Sequence, residues 1–220
     1  MMVDKLYAYR FELFLFTQLF ILFGSLFIPV AIFEDWIMPV FLLFNIASGV
    51  LLVCKNRNSS FFLLIFISLF ITGLIANLLN SEINDSFNYI KLASYFIFYA
   101  LVTLELIKQV WKAKVIGKNV ILGLISGYIS LGLLSFFMCL TIEIIYPNSF
   151  SGLIYEDGNI TETLMYYSYI TLMTIGYGDI LPVSSIAQKA SVFIGLLGQF
   201  YLVILTAIVV GKYISQSVKK

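Results

Sequence analysis

The chain has 220 residues, 61% of them hydrophobic and 11% charged, with a net charge of +1. Soluble domains carry about 45–50% apolar and about 25% charged residues, so a water-soluble globule is excluded. The net charge by itself says nothing about nucleic acid, since distribution matters and not the sum, and no nucleic-acid partner is expected. There is no His, and Cys54 and Cys139 lie at the end of one apolar run and within another, which excludes a disulfide framework and a Cys/His metal site.

Six apolar runs, at about 12–32, 37–54, 61–79, 88–107, 119–145 and 189–213, each approach the ~20 residues that cross a bilayer as helix. The first follows Lys5 and Arg10 as in a signal peptide, but it is too long, lacks a small-residue cleavage pattern and precedes similar runs, so it is expected to be a retained span. With six spans, Lys5, Arg10, Lys55, Arg57, the Lys108–Lys118 segment, Lys212, Lys219 and Lys220 fall on one side, against Lys91 and Lys189 on the other. By the positive-inside rule both termini are cytoplasmic in a multi-pass cell-membrane protein. Glu34, Asp35, Glu82, Asp85, Glu143, Glu156, Asp157, Glu162 and Asp179 fall on or near the outer side. An acidic outer mouth concentrates cations; the first four of these acids serve equally well as ordinary solvated loop residues.

Span 5 contains Gly123 and Gly127 at the small-xxx-small spacing of packed membrane helices. After it, residues 162–173 form an apolar stretch too short to cross, which predicts a re-entrant helix. Irregular backbone at that depth is tolerated only where it is buried in protein or lines a water-filled path. The stretch runs into Leu172-Met173-Thr174-Ile175-Gly176-Tyr177-Gly178-Asp179. Successive carbonyls point toward one axis only if the backbone alternates between ordinary and left-handed dihedrals, and Gly176 and Gly178 adopt the second kind without steric cost. An isolated pair of glycines would equally suit a surface turn.

In its setting, Thr174-Ile175-Gly176-Tyr177-Gly178 resembles the selectivity-filter signature of potassium channels, and the segment from Tyr166 through Pro182 into span 6 resembles their pore helix, filter and inner helix. The last hundred or so residues carry the likeness closely; the six-span layout extends it loosely to the whole chain. It implies an all-α, six-helix membrane protein with a re-entrant pore helix and filter loop, built as a four-helix voltage-sensor-like domain (1–115) and a pore domain (116–220). It implies three further copies of the chain in a homotetramer, since one chain supplies one filter strand. It also implies K+ at the carbonyls of Thr174, Ile175, Gly176 and Tyr177 and the Thr174 hydroxyl, completed by Gly178, with no cofactor beyond the permeant ion and no enzymatic activity. Tyr167 would be the aromatic neighbour of the Tyr177 ring behind the filter, and Asp179 would anchor its outer end. Gly195 and Gly198 would be bending points of the inner helix, Gly198 at the family's hinge position, with helix packing an equal alternative for Gly195. Thr206 would face the cavity.

Two positions depart from the family pattern. Met173 stands where many members carry a second Thr, and Ile170 where some carry a Glu that pairs with the filter Asp. Voltage-gated relatives place Arg or Lys at every third position of span 4; here that span has no Arg, with Lys91 at its outer end and Lys108, Lys112 and Lys114 at its inner end. Spans 2 and 3 contribute Asn45 and Asn77 but no acid to stabilise a travelling cation. Glu105 is placed for an i,i+3 pair with Lys108. The segment Lys108–Lys118, with Trp111, would form an interfacial helix whose Lys108, Lys112, Lys114 and Lys118 meet anionic lipid, although topology alone accounts for these charges equally well. The chain runs only a few residues past span 6, so no cytoplasmic ligand-binding domain is expected. Alternatives are a poorly selective cation channel, and a transporter subunit or regulatory membrane protein with a vestigial pore loop.

Each gating charge crossing the field supplies about 2.3 kcal/mol per 100 mV, so a span without them gives little voltage dependence. The expected outcome in voltage-step recordings from purified, reconstituted protein is a conductance nearly independent of voltage; steep gating would contradict it.

Overall fold

The computed structural model describes residues 7, 9–29, 32–53, 85–154 and 160–218. The third predicted span at 61–79, with Asn77, lies outside the described residues, as do Cys54, Glu82, Glu156 and Asp157. The chain divides into two compact units, Met1–Glu105 and Leu106–Lys220.

In the first unit, α1 (Arg10–Phe23) ends in a tight turn over Gly24–Leu26, and a wide π-helical turn (Phe33–Ile37) leads into α2 (Met38–Val53). The first apolar run is therefore helical for less than its predicted length. Gly24 lies where a Cβ would stand 2.3 Å from the Phe33 ring, so the break in the helix coincides with the return of the chain against it. Phe20 and Phe41 stack with centroids 3.8 Å apart, joining α1 to α2. The helix α3 (Asp85–Lys112) contains a membrane-length apolar segment, Leu92–Lys112.

A wholly apolar interface would need no polar partners, yet α1, α2 and α3 share a buried hydrogen-bonded set. Asn45 Nδ2 donates to Thr17 Oγ1 at 2.8 Å and to the Phe14 carbonyl at 3.2 Å, and the Tyr99 hydroxyl donates to Asn45 Oδ1 at 2.9 Å. Asn45 and Tyr99 are fully buried. One turn along α2, Gly49 leaves room for Phe98 and Phe14, so residues i and i+4 of one face receive the amide partners and then the rings. A buried amide must find partners within the protein, and Asn45 finds them on both α1 and α3.

The second unit begins with the end of α3 and continues through α4 (Lys118–Ile145), α5 (Ile160–Leu172) and α6 (Ser185–Phe200), a π-helical turn (Tyr201–Leu205) and α7 (Thr206–Ser217). Lys118–Ile145 and the continuous run Ser185–Ser217 are both long and apolar enough to cross a membrane. Ser184 begins α6 four residues earlier than the apolar run suggests, because its hydroxyl caps the Ala187 N–H at 3.2 Å.

Two tyrosines fasten the unit to α4 by one repeated device. The Tyr169 ring from α5 enters the space left by Gly132 and donates its hydroxyl to the Ile129 carbonyl at 2.7 Å. The Tyr201 ring, at the start of the π turn, fills the space beside Gly127 and donates to the Leu124 carbonyl at 2.6 Å. In each case the accepting carbonyl lies three residues before the glycine. Gly127, read from its spacing as a helix-packing residue, thus receives a tyrosine ring. At the other end of the unit, Lys212 Nζ donates to the carbonyls of Trp111 and Ala113, capping the C-terminus of α3, while Gln216 Oε1 accepts from the Ile116 N–H at 2.8 Å.

Tyr99→Phe removes one hydrogen bond from Asn45 without opening a cavity. Its expected cost is about 1 kcal/mol, within the range measured for hydrogen bonds between membrane helices. A lowered thermal unfolding midpoint of the detergent-solubilised protein, restored by no change of ionic strength, checks it.

Candidate pore-loop site

A helix that stops inside a membrane leaves its last carbonyls without partners unless the chain turns back to supply them. At the end of α5 the Ile175 N–H donates to the Ile170 carbonyl at 2.9 Å and the Thr174 N–H to the Thr171 carbonyl at 3.0 Å. The Gly176 N–H adds a longer contact to the Ile170 carbonyl at 3.3 Å. These are the six-to-one and five-to-two bonds of a Schellman cap, with Thr174 at the left-handed position usually held by glycine. Thr174 has φ +58°. For a β-branched residue this is a true outlier, costing on the order of 1–3 kcal/mol and sustained by the surrounding contacts.

The left-handed φ recurs at every second residue: Thr174 (+58°), Gly176 (+55°) and Gly178 (+83°). Alternating hands of φ turn successive peptide planes the same way, so carbonyls gather on one side of the strand and N–H groups on the other. Within the chain nothing lies within 4 Å of where a Cβ would stand on Gly176 or Gly178, so their need for glycine is conformational and not spatial. Ile175 and Tyr177 are exposed within a single chain, Tyr177 at 74%.

Tyr166, Tyr167 and Tyr169 leave α5 in three directions, about 100° apart per residue, and meet three different partners. Tyr169 reaches α4 as described above. Tyr167 is buried, with its hydroxyl 2.6 Å from Ser191 Oγ on α6 and its ring 5.1 Å from that of Phe150. Tyr166 donates to Asp179 Oδ2 at 2.7 Å, making it the side chain that ties the outer end of the strand back to α5. No signal in the sequence separates Tyr166 from Tyr167 for this role; the position of Asp179 does. Within one chain, the ring partner of Tyr167 is Phe150.

The Tyr166 hydrogen bond, with backbone N–H groups of Asp179 and Ile180, holds the Asp179 carboxyl below the usual aspartate range, against a smaller opposing desolvation. A lowered folded-state pKa contributes stability that is complete above the ordinary value and is lost as pH falls through the lowered one.

The outer margin is built from the other side by α4. Glu143 is buried, and its carboxylate accepts the N–H groups of Asn148 (2.7 Å), Ser149 (3.0 Å) and Phe150 (3.2 Å). This turn delivers β1 (Phe150–Ser151), which pairs antiparallel with β2 (Leu181–Pro182) just after the strand. Gly152, at φ +85°, meets the Asp179 carbonyl so closely that a Cβ would stand 2.2 Å from it.

Behind the strand base, Gly198 on α6 approaches the Leu172 carbonyl; an added Cβ would lie 2.0 Å from that oxygen. Gly195 is spacious, with its nearest neighbour, the Thr171 carbonyl, at 4.0 Å. Within one chain, geometry gives Gly198 a packing duty and shows none for Gly195. Thr206 is exposed at the first position of α7, directly after the π turn. Gln199, which sequence reasoning passed over, donates from Nε2 to Thr174 Oγ1 at 3.3 Å. Met173 is half-exposed and Ile170 is buried.

Residues 137–215 match a protein-family model described as ion channel. The matched stretch begins within α4 and takes in α5, the strand from Thr174 to Gly178, α6, the π turn and most of α7. The match points to an ion channel and away from an enzyme, and among the described residues three helices are long and apolar enough to cross a membrane. No curated protein and no solved structure matches the chain.

Gly198→Ala sets a methyl against a backbone carbonyl that no rotamer change relieves. The expected destabilisation is about 1–3 kcal/mol, against a far smaller effect for Gly195→Ala, both read as thermal unfolding midpoints. A Gly198→Ala midpoint equal to that of Gly195→Ala would contradict the close approach.

Proposed function

We propose that the chain is one subunit of a homotetrameric, potassium-selective channel that conducts passively and with little voltage dependence. The observation that carries this reading is the left-handed φ at alternate residues Thr174, Gly176 and Gly178, inside a stretch matching an ion-channel family. Four such strands around one axis would offer rings of carbonyl oxygens from Thr174, Ile175, Gly176 and Tyr177 in place of an ion's hydration shell, and adjacent sites would let ions repel one another onward. The exposed Tyr177 and Ile175, and the exposed Val192, Phe193, Leu196 and Phe200 of α6, are the surfaces that neighbouring subunits would cover. The C-terminal end of α5 carries the negative end of its dipole, which favours a cation in the cavity below.

Weak voltage dependence is supported by the neutral set buried between α1, α2 and α3. The buried polar set of Thr17, Asn45 and Tyr99 carries no charge, and the described part of α3 has no Arg. The expected interfacial helix over Lys108–Lys118 is not formed, since Lys108 and Lys112 end α3, Lys114 lies in the bend that follows and Lys118 starts α4. These lysines would still meet anionic lipid headgroups. Of these, Lys114 lines a cavity of about 490 Å³ with the apolar Val115, Ala207 and Ile208.

Reconstituted full-length protein under opposing potassium and sodium gradients tests the reading. The reversal potential is expected to follow the potassium gradient. Equal permeability to both ions would instead support a poorly selective cation pore, and confirmed tetramers without current would support a vestigial loop.

A further inference from the structure

Between Val192 and Val210 the inner helix has a single side-chain amide, Gln199. A primary amide in the middle of a membrane helix is costly unless it pairs within the protein or faces water. Gln199 is exposed within the chain and donates to Thr174 Oγ1. Its position is dictated by its neighbour: because Gly198 lacks a Cβ, α6 comes close to the Leu172 carbonyl, and the next residue reaches the base of the strand. A threonine hydroxyl has one donor and two acceptor sites. Donation from Gln199 occupies one acceptor site and orients the hydroxyl of a residue already held at φ +58°. Among the described residues no donor occupies the Gln199 carbonyl oxygen, Oε1.

We propose that Gln199 is a cation-binding residue at the inner mouth of the filter. Its amide nitrogen positions the Thr174 hydroxyl, and four Gln199 carbonyl oxygens in the tetramer form a ring for a monovalent alkali cation. The inference rests on the tetrameric-channel reading above and adds a site to it. An amide oxygen is a neutral, hard ligand of the same kind as a backbone carbonyl, so a cation can exchange water for amide before it exchanges amide for carbonyl. Neutrality also matters: binding must be strong enough to admit the ion and weak enough to release it. A carboxylate at the same point would hold the ion more tightly.

The test uses the full chain with Gln199→Leu, which removes donor and acceptor at similar volume, and Gln199→Glu, which keeps the acceptor and adds charge. Two readouts are taken against KCl: the thermal unfolding midpoint in detergent, with NaCl at matched ionic strength as control, and single-channel current against cytoplasmic potassium. For Gln199→Leu the half-saturating potassium concentration is expected to rise about tenfold in both, the size of one lost polar interaction, with the reversal potential unchanged. For Gln199→Glu it is expected to fall, and the gain to shrink as ionic strength rises. Both variants shifting in the same direction, or neither shifting, overturns the proposal and leaves Gln199 a packing residue. If Gln199→Leu fails to assemble, the direction and salt dependence of Gln199→Glu decide alone. A wild-type midpoint that responds to potassium through Gln199 in a protein that passes no selective current would keep the cation site and defeat the conduction reading.

Discussion

Everything in the pore-loop unit depends on how α5 is allowed to end. A helix terminus within the membrane exposes carbonyls to a medium without donors, so the chain itself must bring N–H groups back to them. Here the Ile170 and Thr171 carbonyls take the N–H groups of Ile175 and Thr174, and the turn that accomplishes this forces Thr174 to a left-handed φ. The strand then leaves the helix with its first left-handed residue already set. Gly176 and Gly178 continue the alternation at the two positions where glycine removes the penalty. Cap and strand are one structure: helix termination starts the pattern that aligns the carbonyls.

The surroundings hold this element from three sides. Tyr169 ties α5 to α4 through the space at Gly132, Gly198 lets α6 lie against the Leu172 carbonyl, and Tyr166 fastens Asp179 at the far end of the strand. Glu143 reaches the same end from α4 through the turn that carries β1 to β2. Each contact is modest alone. Together they account for how a β-branched residue is kept in a conformation it disfavours, since such strain persists only where the surroundings over-determine it.

The glycines show what was legible in the sequence and what was not. Gly176 and Gly178 were legible because their requirement is local: a dihedral angle that follows from the strand's own pattern. Gly127, Gly132 and Gly198 have ordinary φ and are required by partners elsewhere in the chain, Tyr201, Tyr169 and the Leu172 carbonyl. Spacing within one helix cannot name such partners, so Gly127 carried a general packing expectation and Gly132 none. Tyr166, one of three adjacent-face tyrosines, was indistinguishable from Tyr167 until Asp179 had a position. The π turns at Phe33–Ile37 and Tyr201–Leu205 have no compositional mark at all. The apolar runs located the described helices well because length and hydropathy decide membrane crossing, and erred mainly at ends, where Ser184 and Gly24 act through single contacts.

In the function proposed above, the strand from Thr174 to Gly178 is a filter wall formed jointly by four chains. A single-particle density map of the purified protein in potassium tests it most directly. Fourfold symmetry is expected, with these five residues closest to the axis and cation density between successive carbonyl levels. A particle in which the Thr174–Gly178 strand faces lipid, or lies away from any symmetry axis, would contradict it.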